Sequence, residues 1–178
     1  MTTLDRERAG EHPPVPGLGA ITIRTLSPAD RCAYYRFCAH LTREDLRLRF
    51  GGVMRFDGAL ARRLFAVDPA RETVFAAHGA TSEADDAILG IARLVRVSAE
   101  EAEIAVIVRS DRKRRGLGRA LLQRLIRHAA TLGLKTLVGD ILDENYPARQ
   151  LVRAAGFVGE GPAGIMRRVR LTLPAYVH

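Results

Sequence analysis

Between Ile104 and Ala130 the chain reads IAVIVRSDRKRRGLGRALLQRLIRHAA, and the residues whose types and spacing suit chemistry are concentrated there. Arg109, Arg112, Lys113, Arg114, Arg115 and Arg119 crowd a single turn in which Asp111 is the one acid, and Gly116 and Gly118 interrupt them. A glycine-containing turn that opens a helix aims several backbone N–H groups at one point. The helix dipole adds partial positive charge there, so a phosphate suits the place. Glycine lets the backbone approach that anion with no side chain in the way. A solvated basic loop would show the same charges. Here, however, the turn lies between an apolar strand-like run, Ile104 to Val108, and a helix-periodic set, Leu121, Leu122, Leu125, Ile126 and Ala129. The strand–turn–helix setting assigns the turn to anion binding.

The rest of the chain supplies elements to position this segment. Residues 1–18 are charged and then Pro/Gly-rich, which predicts a loose tail ahead of one domain over 19–178. Ala20 to Leu26 alternates like a strand. Ser27-Pro28-Ala29-Asp30 carries helix-start signals, with a helix expected to about Ala39. Thr42 with Asp45 repeats the capping pattern before a short helix, Arg43 to Arg49, and Asp57 caps a third, Gly58 to Ala66. Strands are expected over Thr73–Ala80, Ala87–Val97 and Ala102–Val108, with a polar hairpin loop at Thr81–Asp86, and they form an antiparallel meander. Thr131-Leu132-Gly133 ends the long helix and Lys135–Leu142 forms the next strand. A strand–helix–strand crossover makes that pair parallel and right-handed. Asp143-Glu144-Asn145 caps a last helix, Pro147 to Ala155, which Gly156 ends. Phe157-Val158 and Ile165–Leu173 supply a final hairpin. The count gives an α/β (α+β) class, a mixed sheet of six or seven strands flanked by helices.

Composition narrows the function. The 178 residues are 47% hydrophobic, enough for a core in a single domain. No apolar run reaches the roughly 18 residues of a transmembrane helix, and the N-terminus lacks a secretory apolar region. Cys32 and Cys38 are too few for a disulfide framework and read as reduced thiols in a cytoplasmic protein. His12, His40, His78, His128 and His178 are scattered, so no metal site is expected. The net charge of +8 raises nucleic acid as a partner. Against it, the arginines are spread over several helices, and with 6% aromatics and no Trp a base-stacking platform is poorly supplied. A polyanionic cofactor accounts for the charge as well.

Lys113-Arg114-Arg115-Gly116-Leu117-Gly118 resembles the (Gln/Arg)-x-x-Gly-x-(Gly/Ala) signature of the GCN5-related N-acetyltransferases (GNAT), with Lys113 a departure at the first position. Glu103 at the head of the preceding strand matches further. So does Asn145, followed by Ala148, Leu151 and the pair Gly156-Phe157. The resemblance runs from about Ile21 to Val169. It is strongest to the acetyltransferase domain of bacterial protein-lysine acetyltransferases, through Arg24–Asp30 and Leu41–Phe50. It implies the GNAT fold, with a central splayed parallel strand pair, and acetyl-coenzyme A as the acyl donor. It also implies that Lys113, Arg114, Arg115, Gly116, Leu117, Gly118 and Arg119 hold the pyrophosphate. Val106, Ile107 and Val108 would meet the pantetheine arm through main chain, with Val108 N–H a candidate oxyanion donor, and Asn145 would reach the cofactor from the next helix. The first two helices would line the acceptor entrance, where Tyr34, Tyr35, Phe37 and Arg49 contact substrate or simply face the core.

Amide formation needs a neutral amine, and a free lysine has a pKa of about 10.4. A carboxylate can take that proton directly or through water. Glu103 interrupts an apolar strand and by alternation shares a face with Ala105 and Ile107, which makes it the expected base ahead of Asp140. Many family members place a Tyr, which protonates the leaving thiolate, where this chain has Val152, and Tyr146 should point elsewhere. The expected activity is transfer of acetyl to a primary amine, with a protein lysine preferred over a small-molecule or N-terminal amine. A non-catalytic coenzyme A sensor is the competing reading.

Overall fold

The computed structural model describes residues 20–52, 57–79, 86–162 and 164–174. The tail expected over 1–18 and most of the expected 81–86 loop lie outside them. Seven strands form one sheet: β1 Thr22–Thr25, β2 Glu72–Gly79, β3 Ala87–Arg96, β4 Glu101–Val108, β5 Thr136–Leu142, β6 Val158–Glu160 and β7 Met166–Thr172. Their spatial order is β1-β2-β3-β4-β5-β7-β6. Neighbours are antiparallel except β4 and β5, the parallel pair that the crossover helix demands. The last hairpin is present, but β7 rather than β6 lies against β5.

Among the described residues five α-helices flank the sheet: α1 Arg31–Ala39, α2 Arg43–Phe50, α3 Gly58–Phe65, α4 Leu117–Thr131 and α5 Tyr146–Ala154. The expected helix from Ser27 is divided, a 3-10 turn at Pro28–Asp30 preceding α1. Asp30 does more there than complement a dipole. It is buried, accepts from Ser27 N at 2.7 Å, and takes two bonds from the Arg24 guanidinium at 2.7 and 2.8 Å. Those bonds, Arg24 first, hold its carboxyl well below the usual carboxylate range. Thr42 and Asp57 cap α2 and α3, accepting from Asp45 N and Leu60 N.

Each face of the sheet buries its own core. On one side α4 lays Leu121, Leu122, Leu125 and Ala129 against Phe75, Leu94 and Ile104. On the other, Tyr34, Phe37 and Cys38 of α1 cover Val74, Ala76, Ile88 and Ile91. Ile88 and Ile91 share a face although they differ by three, because the β2–β3 register shifts between Ala77 and His78 and a bulge takes up one residue of β3. A buried leucine contributes about 1.5–3 kcal/mol, so α4 is fixed against the sheet by its apolar stripe, and the turn before it is fixed with it. Among the described residues no helix is long and apolar enough to cross a membrane.

Candidate active site

The parallel pairing of β4 and β5 lasts for three residue pairs, Glu101 with Thr136, Ala102 with Leu137 and Glu103 with Val138, and then stops. Beyond it β4 stays with β3 as far as Val108 and β5 stays with β7 as far as Leu142. The two strands therefore splay and leave one edge of each unpaired. Arg109 N–H donates to Leu89 O at 3.0 Å. Along a strand the main-chain groups alternate between neighbours, so Ile107 turns its N–H and C=O to β3 while Val106 and Val108 turn theirs into the splay. Of the three residues expected to meet a cofactor through main chain, Val106 and Val108 thus leave theirs unpaired on the splay side. Ile107 is committed to β3 and presents its side chain instead.

The splay opens into a cleft of about 460 Å³. Its floor is Val106 and Val108, and one wall is α5 through Ala148, Leu151 and Val152. At its end lies the basic turn. Arg114 has φ +60 and Gly116 φ +85, two left-handed residues within three, and α4 begins at once after Gly116. For an arginine that conformation costs about 1–3 kcal/mol, the kind of strain that collects at functional sites. The first helical bond is made by Ala120 N to Gly116 O at 3.0 Å. The N–H groups of Leu117, Gly118 and Arg119 precede it and have no helical partner. Three free donors, the positive end of a 15-residue helix and the arginines around them form an anion cradle.

The basic side chains divide by role. Arg112, Lys113, Arg114 and Arg119 line the cleft, as do Gly116 and Gly118, whereas Arg115 does not. Leu117 is buried in the core and offers the cleft only its N–H. Arg109, 4% exposed, is held by Asp111 through two bonds of 3.0 Å and serves the fold of the turn. The Lys113 ammonium rests on Asp45 of α2. Asp45 is 4% exposed and also accepts from Thr42 N at 2.8 Å and from Ser110 Oγ. Burial pushes its pKa up, but the bonds from Lys113, Ser110 and Thr42 outweigh that and hold it lowered. Asp45 thus fastens α2 to the basic turn. Sequence reading found it only as a capping residue, since nothing local links positions 68 apart.

Glu103 stands where the pairing of β4 and β5 ends, exposed on the cleft wall and on the same face as Ala105 and Ile107. Its carboxylate has no hydrogen bond or ion pair to any described residue. Asp140 also lines the cleft, but Arg168 of β7 holds it at 3.0 Å. Asn145 caps α5, its Oδ1 accepting from Ala148 N at 3.2 Å, and it borders the cleft. Tyr146 is 67% exposed with Arg149 over its ring and is not part of the cleft wall, whereas Val152 is. Arg47 of α2 bonds Glu144, next to Asn145, a contact between residues 97 apart that sequence could not show.

A model of the acetyltransferase (GNAT) family matches residues 35–157. Among solved structures, this chain is similar to the GNAT domain of S. lividans PAT, with a TM-score of 0.77 and 20% identity over 87% of this chain and 92% of that one. It is also similar to spermidine N-acetyltransferase from Vibrio cholerae in complex with CoA and spermine, with a TM-score of 0.68 and 20% identity over 86% and 95%. A phosphinothricin acetyltransferase from Sinorhizobium meliloti in complex with AcCoA gives 0.69 and 17% over 86% and 88%. At these identities the structural likeness is one of fold.

Proposed function

From the premise that the chain belongs to the acetyltransferase (GNAT) family, we propose that it transfers the acetyl group of acetyl-coenzyme A to a primary amine, with the side chain of a protein lysine as the acceptor. One observation carries the reading of the cleft. The unpaired edge of β4 leads directly to the free N–H groups of α4. A long donor with a peptide-like arm and a pyrophosphate at its far end has that same order of needs.

In this arrangement Leu117, Gly118 and Arg119 hold the pyrophosphate by main chain, with Arg114 and Arg119 adding charge-assisted bonds. The main-chain groups of Val106 and Val108 bind the pantetheine amides. The acceptor nitrogen attacks the thioester carbonyl carbon, and Val108 N–H stabilises the oxyanion that forms. Glu103 accepts the proton that the amine gives up. The carbon–sulfur bond then breaks, and the electron pair leaves on sulfur. Thiol pKa values sit near 8.5, so the thiolate leaves without a dedicated acid, consistent with Val152 on the wall and Tyr146 turned away. Two free thiols, Cys32 exposed and Cys38 buried, suit a cytoplasmic setting.

Calorimetric titration with acetyl-coenzyme A, followed by thiol release in the presence of lysine peptides and small amines, tests the proposal. Saturable binding with amine-dependent release is expected. Binding without turnover on any amine would replace the enzyme with a sensor.

A further inference from the structure

A second recess opens on the Glu103 side of the sheet, between β4 and helices α1 and α2. It shares Arg49, Ala105 and Ile107 with the main cleft, so it adjoins the part of the cleft that Glu103 lines. The recess is small, about 40 Å³, and its surface is largely aromatic and aliphatic, through Tyr34, Phe37 and Leu46. Two guanidinium groups nevertheless face it. Arg93 is engaged, with Glu72 at 2.6 Å and the Leu64 carbonyl. Arg49 is not. It is partly buried, stacks on Phe50 at 4.8 Å, and hydrogen-bonds to no described residue. The acid whose field reaches it is Glu103, which is not in ion-pair contact with it. A guanidinium partly removed from water, with five donors and no acceptor, is an uncommon thing to leave unmatched.

The recess therefore offers a carboxylate for an ammonium group at Glu103 and, beside it, an unmatched guanidinium. Resting on the acetyl-transfer reading above, we propose that Arg49 is a specificity-determining residue that binds a carboxylate carried by the acceptor close to its reactive amine. The acceptor is zwitterionic: its ammonium meets Glu103 and its carboxylate makes a forked pair with Arg49. A free amino acid has this chemistry, and so does a lysine next to an acidic residue. A polyamine does not, because it would set a second ammonium against Arg49. Once the proton passes to Glu103 the carboxylate stays on Arg49, so the contact fixes the attacking nitrogen and takes no part in bond making.

The test compares acceptors that differ only in the carboxylate: leucine, leucinamide and 3-methylbutylamine, each rate corrected for its free-amine fraction. Blocked peptides with lysine beside Glu or beside Gln form a second arm. The wild type should favour the carboxylate-bearing member by roughly ten- to a hundredfold in kcat/KM, the range expected for a charged hydrogen bond. Arg49→Met should bring that ratio close to one, chiefly by raising KM for the carboxylate-bearing member. Arg49→Lys should keep part of the preference. A preference among the free amines identifies an amino acid acceptor, and one confined to the peptides identifies lysine beside an acid. Equal rates in both arms, or a loss in Arg49→Met that is the same for charged and neutral acceptors, would overturn the inference. If acetyl-coenzyme A binds by calorimetry but no member of either arm is acetylated, the zwitterionic acceptor is wrong and the cofactor reading stands. If acetyl-coenzyme A does not bind, the proposed function itself falls.

Discussion

Gly118→Asp should separate folding from cofactor binding more cleanly than any other single change. A Cβ at Gly118 would lie 3.4 Å from Leu151 Cδ2 and 3.9 Å from Val108 Cγ2, both ordinary contacts, and the backbone there is not left-handed. Gly118 is the second residue of α4, where a carboxylate complements the dipole by about 0.3–1 kcal/mol and replacing glycine gains a few tenths more. Stability should therefore hold or rise by up to about 1 kcal/mol. The same carboxylate would stand against the cleft at the point where a phosphate meets the free N–H groups. Two unit charges about 4 Å apart repel by about 4 kcal/mol at an effective dielectric of 20, which is about a thousandfold in affinity at about 1.4 kcal/mol per decade. Urea unfolding with calorimetric titration of coenzyme A reads both quantities on one sample. Affinity within about threefold of wild type in a folded Gly118→Asp variant would remove the turn from the binding site. A loss of several kcal/mol in stability would mean that the local packing has been misjudged.

Glu103→Gln should lower kcat at least about a hundredfold near pH 7, the lower end of general-base assistance, with coenzyme A affinity unchanged. The defect should shrink as pH rises toward the amine's own pKa, and a pH-independent defect would make the carboxylate structural. Asp140→Asn should cost much less, because Arg168 already holds that carboxylate; equal losses in steady-state kinetics would reverse the assignment. Tyr146→Phe should be nearly silent in the same assay, and a hundredfold drop would identify Tyr146 as the missing acid. Burial holds the pKa values of His78 and His128 below the ordinary histidine range, with Arg24 and Arg124 respectively adding to the effect. The unfolded chain therefore binds more protons as pH falls through about 6.5, and unfolding free energy should increase from about pH 5 to pH 7. Urea titrations giving a flat or falling profile across that window would contradict the buried neutral state of the two rings.

Much of the architecture follows from periodicity that a single chain displays. Apolar runs of strand length mark β2, β3 and β4, the Leu121–Ala129 stripe marks α4, and the crossover between β4 and β5 dictates their parallel sense. What escapes is set by relations between distant residues. The parity of β4 depends on Arg109 N–H reaching Leu89 O, beside a bulge that no local pattern announces, so sequence could not tell that Ile107 faces β3 while Val106 and Val108 face the splay. The position of β7 between β5 and β6 is equally hidden, because β6 is only three residues long. The same limit applies to Lys113. Its place in the motif predicts a phosphate contact, but the Asp45 carboxylate that holds its ammonium lies 68 positions away on α2.

A crystal structure with acetyl-coenzyme A bound tests the central claim most directly. The account predicts the pyrophosphate on the N–H groups of Leu117, Gly118 and Arg119, the pantetheine arm along Val106 and Val108, and the thioester carbonyl within hydrogen-bonding distance of Val108 N–H on the Glu103 side. A cofactor bound elsewhere, or a thioester turned away from Val108 and Glu103, would contradict it.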